Sequence, residues 1–128
     1  MKKWRTEFTA AFFDGPMTFW VHDGGGDPTR AMQRPKPVPG QGYPRYLVEF
    51  DGTQFDFASV AEIQECVAVL KRRVLPTTTE LSRHSRAGPN THWLSRLPAD
   101  AKPWRYRTRL LPYLENILAK LEVQDANT

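Results

Sequence analysis

Basic and aromatic side chains crowd one stretch of this chain, residues 83–109, RHSRAGPNTHWLSRLPADAKPWRYRTR. Seven cations (Arg83, Arg86, Arg96, Lys102, Arg105, Arg107 and Arg109) stand against one acid, Asp100. The stretch therefore carries +6 on a chain whose net charge is +4, and the remainder sums to −2. His84, His92, Trp93 and Trp104 share the same window. A phosphate backbone needs cations, and unstacked bases need aromatic faces, so this mixture suits nucleic-acid binding. A packed helix with a solvated basic face uses the same residue types, with Trp93 and Trp104 turned into the core.

On a helix, Arg105 and Arg109 share a face and Lys102 joins them at i−3, which makes a candidate phosphate track. Arg83, Arg86, Trp93, Arg96 and Arg107 complete the candidate surface, and Arg34 and Lys36 add loop cations. Two other chemistries compete with this reading. A metal-independent ribonuclease would need a general base, a general acid and cations to stabilise phosphorane charge. Glu80, His84, His92 and Arg96 would be its catalytic set. A protein-binding inhibitor, immunity or adaptor protein would use the same arginines and tryptophans as interface anchors, with Arg34-Pro35-Lys36-Pro37-Val38-Pro39 lying in a partner groove.

Other site chemistry lacks its residues. Structural zinc needs four close Cys or His ligands, and Cys66 is the one cysteine. Gly24-Gly25-Gly26 leads into Asp27-Pro28 rather than Gly-Lys-Ser/Thr, so no phosphate loop is expected. Ser82, Ser85 and Ser95 flank the histidines without a nucleophile elbow. The expectation is no metal and no cofactor, with a non-enzymatic binding role favoured over catalysis. No secretory h-region follows Lys2-Lys3, and no apolar run reaches membrane-span length. A cytoplasmic protein without membrane contact is expected.

These residues must be positioned by elements that periodicity outlines. Residues 4–13 and 17–22 alternate around Asp14-Gly15 and predict a first β-hairpin, with Glu7 opposite His22. Residues 24–44 contain ten Gly or Pro and predict a long loop. Tyr46–Phe50 and Thr53–Phe57 flank Asp51-Gly52 and predict a second hairpin, with Tyr46, Val48, Phe50, Phe55 and Phe57 on one face. Ser59-Val60-Ala61-Glu62 is a capping box that opens a helix. Val60, Ile63, Val67, Leu70 and Val74 form its stripe, Cys66 shares the apolar face, and Lys71-Arg72-Arg73 complement its dipole. A second helix over roughly 101–122 is capped by Asp100 and kinked or split at Pro112. Its stripe is Leu110, Leu111, Leu114, Ile117, Leu118 and Leu121.

Two hairpins and two helices predict an α+β fold: a roughly four-stranded antiparallel sheet covered on one face by two helices. The chain reads as a single domain over 1–123 with a long Gly/Pro-rich loop at 24–44 and a polar tail at 124–128. Its size of 128 residues, with 40% hydrophobic content, is sufficient for a core without metal or disulfide. The functional expectation is a small basic binding or regulatory protein that docks nucleic acid or a nucleoprotein complex.

Overall fold

The Asp51-Gly52 turn organises the sheet. Both residues take positive φ, 47° and 85°, the backbone twist that matches two strands joined by a two-residue loop. In the computed structural model this turn joins β2 (Tyr43–Phe50) to β3 (Thr53–Phe57). The structure describes residues 2–12, 14–15, 17–22, 34–73, 97 and 99–126, with the side chains of Phe19 and 123–126 left aside. Tyr46 pairs with Phe57, Val48 with Phe55 and Phe50 with Thr53. The register is the one the alternation predicts, and Tyr46, Val48, Phe50, Phe55 and Phe57 are all buried.

The first predicted hairpin does not form. β1 (Lys2–Thr9) pairs antiparallel with β2, Trp4 opposite Val48, and the sheet order is β1-β2-β3. Residues 17–22 instead hold a short helix, α1 (Thr18–Val21). The sheet among the described residues is therefore three-stranded rather than four-stranded. Tertiary pairing explains the difference. β2 offers β1 a full eight-residue ladder on an apolar face, whereas helical winding of 18–22 brings Thr18 and His22 onto Glu62. β2 also begins earlier than expected and contains Pro44. That position pairs only with β1, so the missing N–H leaves no ladder partner unsatisfied on a second side.

α2 (Val60–Leu70) and α3 (Trp104–Ala126) cover the apolar face of the sheet. The Ser59 Oγ accepts from the Glu62 N–H at 3.2 Å, as a capping box requires, but the Glu62 carboxylate reaches the Ala58 N–H instead of Ser59. Ile63, Cys66, Leu70, Leu110, Leu114 and Ile117 are nearly inaccessible to solvent. Full burial of such side chains contributes roughly 1.5–3 kcal/mol each. Pro112 does not split α3; the helix runs through it and on to Ala126. Leu110 and Leu111 before it and Leu114 after it anchor the helix on both sides, which offsets the lost backbone bond. Asp100 lies in a separate 3-10 turn, Ala99–Ala101, and not at the start of α3.

A tight turn precedes β2, with Val38 bridging Gly42. A Cβ added at Gly42, where φ is +104°, would collide with the Thr9 carbonyl oxygen. At Gly40, φ +78°, it would meet open space. Gly42→Ala should thus destabilise by about 2 kcal/mol or more, and Gly40→Ala by about 1 kcal/mol. Urea unfolding of the two variants checks the order.

Burial, with the Glu65 charge adding to it, pushes the Cys66 thiol up to about 12. An unfolded thiol ionises near pH ~8.5. Between these values the folded state binds the extra proton, so stability falls as pH rises through this window. Chemical unfolding from pH 8 to 11 should show a steeper decline for the wild type than for Cys66→Ala, by at most about 1.4 kcal/mol per pH unit.

Candidate functional site

The end of α2 leaves backbone carbonyls with no partner in their own helix. One side chain meets them. Arg107, in the first turn of α3, donates from Nη1 to the Leu70 carbonyl (3.0 Å) and the Arg72 carbonyl (2.6 Å). Its Nη2 donates to the Arg73 carbonyl (3.1 Å) and its Nε to the Lys102 carbonyl (2.7 Å). Burial pulls the Arg107 guanidinium down from its ordinary value, yet four acceptors around a group that can only donate keep it charged. Arg107 was expected on the binding surface; the structure buries it, 4% exposed, as a clamp between α2 and α3.

The clamp gathers other cations. The backbones of residues 72, 73 and 102 meet at one guanidinium, so the side chains of Arg72, Arg73 and Lys102 project from a common junction. Arg105 is exposed on the adjoining turn of α3. Arg5, Arg34, Arg45 and Arg109 each meet a carboxylate: Glu7, Asp14, Asp56 and Asp51. Among the described residues, Arg72, Arg73 and Arg105 meet none. Arg107 also neutralises the negative end of the α2 dipole, which would otherwise repel an anion here.

The expected phosphate track is therefore rearranged. Lys102 lies before α3, so its helical i−3 relation to Arg105 is lost. Arg109 is drawn to Asp51 at 2.7 Å and stands 5.9 Å from the Phe50 ring centroid, clipping α3 to the hairpin turn. Beside it the Tyr106 hydroxyl donates to the Phe50 carbonyl, and burial raises its pKa. Trp104 is partly buried, with the Arg107 and Arg73 guanidinium carbons 4.9 and 5.7 Å from its ring centroid. Arg34 stacks over Phe12 beside its Asp14 partner, and Lys36 is exposed on the 34–42 segment. Arg83, Arg86, Trp93 and Arg96, and the ribonuclease set Glu80, His84 and His92, lie outside the described residues. The chain enters that stretch after Arg73 and leaves it at Leu97, which packs on the core.

Sequence reasoning missed Arg72 and Arg73 as site residues and assigned them only to the helix dipole. The signal was present in three consecutive cations before a proline, but their neighbourhood to residue 102 is tertiary. It also missed a buried polar node. Glu62, wholly inaccessible, accepts from Thr18 Oγ1 at 3.1 Å and lies 3.5 Å from His22 Nε2. The same Nε2 lies 2.6 Å from Ser59 Oγ. A Ser–His–acid relay places serine and acid on different ring nitrogens. Here the Ser59 and Glu62 contacts both fall on Nε2, and the node docks α1 onto the start of α2. No set of residues fit to hold a metal ion occurs among the described residues.

The face of the sheet turned away from the helices offers little for a ligand. Lys3 pairs with Glu49 at 3.4 Å, Arg5 with Glu7 at 2.8 Å and Arg45 with Asp56 at 3.5 Å. A shallow groove of about 230 Å³ crosses it, lined in part by Lys3, Arg5, Leu47 and Gln54. Its charges cancel locally, and sheet platforms that read RNA carry exposed aromatics instead.

Arg107→Met should cost about 3 kcal/mol or more by orphaning buried carbonyls. Arg107→Lys should recover only part, since an ammonium cannot span four acceptors in a plane. Thermal and urea unfolding of both variants measure this.

No helix among the described residues is long and apolar enough to cross a membrane. No family model, curated protein or solved structure matches the chain.

Proposed function

We propose that this protein is a non-enzymatic binding module that docks nucleic acid, free or within a nucleoprotein complex, on the cationic junction between α2 and α3. The observation that carries the reading is the convergence at Arg107: it holds Arg72, Arg73 and Lys102 at one place beside Arg105, with no carboxylate against the three arginines among the described residues. Exposed cations without partners keep their full attraction for phosphate, whereas paired ones must first lose an acid. The locally neutral sheet face supports the same choice, because its cations are already paired with carboxylates.

The test is a salt-dependent titration of labelled duplex DNA and RNA by fluorescence anisotropy. Wild-type protein should bind at ~50 mM salt and weaken steeply as salt rises. Replacing Arg72, Arg73 and Arg105 together by Ala should reduce the log–log salt slope by about 2–3, near 0.9 per phosphate contact. The Arg107 clamp takes only the backbones of 72 and 73, so this triple variant should keep the fold. Lys3→Ala/Arg5→Ala on the sheet face should leave the slope unchanged. Wild-type protein that fails to bind at ~50 mM salt would sink the nucleic-acid reading.

A further inference from the structure

Among the described residues, the aromatic side chains near the cationic junction are committed to other contacts. Trp104 has the Arg107 guanidinium over its ring at 4.9 Å and that of Arg73 at 5.7 Å. Arg107 cannot swing aside for a base, because the same group holds four carbonyls of two elements. Tyr106 is buried, packs edge-on against Phe50 and uses its hydroxyl on the Phe50 carbonyl. Tyr113, farther along α3, lies against Phe50 with Lys2 over its ring. Among the described residues, what faces outward at the junction is Arg72, Arg73, Lys102 and Arg105, side chains that reach phosphate and offer no π-face of an aromatic ring.

Resting on the phosphate-docking reading above, we propose that the junction grips nucleic acid by its phosphate backbone alone, without base stacking, and favours duplex over single strands. A base stacking on Trp104 would compete with two guanidiniums, one of which, Arg107, the fold holds in place. Without stacking, a single strand has no compensation for its lower charge density, whereas a duplex presents a charge every ~1.7 Å along its axis. A compact group of cations is served best by the denser array. Binding by this device is indifferent to sequence, since base edges are not read.

Three labelled probes of equal length separate the possibilities when titrated with the full chain at ~50 mM salt: a mixed-sequence duplex, its single strand, and an abasic single strand that keeps the phosphates and lacks the bases. The duplex should bind tightest, and the two single strands should agree within about twofold, since one stacked base would separate them by roughly 5- to 150-fold. Lys3→Ala, on the locally neutral sheet face, should leave all three affinities unchanged. A base-bearing strand bound more than about fivefold tighter than the abasic one would overturn the backbone-only mode while leaving phosphate docking intact. So would a single strand bound tighter than the duplex. Failure of all three probes to bind would instead remove the phosphate-docking reading itself. Circular dichroism of the variant confirms that it is folded.

Discussion

A single guanidinium sets the geometry on which this structure depends. Helix α2 ends with carbonyls that need donors, and α3 begins beside them. Arg107 supplies four donors in one plane, and only arginine carries that fork on a side chain of this reach. The contact fixes the end of α2, the entry to α3 and the backbone of residue 102 relative to one another. On the other side of α3, Tyr106 and Arg109 tie the same turns to the β2–β3 hairpin. Three neighbouring residues thus bind α3 to both of its partners through polar contacts, while the leucines below supply the apolar core.

The consequence for charge is a division of labour among cations. Arg107 and Arg109 are spent on the fold. Arg5, Arg45 and Lys3 are balanced on the sheet face. Arg72, Arg73, Lys102 and Arg105 remain turned outward, gathered at the place where the clamp has cancelled the helix dipole. A phosphate group approaching the end of α2 would ordinarily meet partial negative charge. Here it meets arginines standing above an already satisfied backbone.

A second buried group shows how strongly tertiary context can override local pattern. Residues 17–22 alternate well enough to predict a strand, yet they fold as a short helix. The reason is Glu62, whose fully buried carboxylate requires hydrogen-bonding partners. Thr18 and His22 provide them from α1, and Ala58 from the chain before α2. β1, freed from the expected hairpin, pairs with the remaining edge of β2, where Trp4 joins the core.

The second hairpin, its register, the Ser59 half of the capping box, the apolar stripes of both long helices over their described residues and the burial of Cys66 were legible in residue types and spacing. Each rests on a local rule: positive φ at Asp51-Gly52, period-two alternation, or helical periodicity, and such rules act within a few residues of chain. The basic stretch was legible as composition, but the fate of each cation was not. Whether an arginine clamps a helix end, pairs with Asp51 or faces solvent depends on which carbonyl or carboxylate the fold brings within about 3 Å. The partner of β1 and the convergence of residues 72, 73, 102 and 107 are likewise long-range pairings that periodicity does not encode. By itself the sequence determined the elements and the store of charge; the tertiary structure decided which charges hold the molecule together and which are left facing solvent.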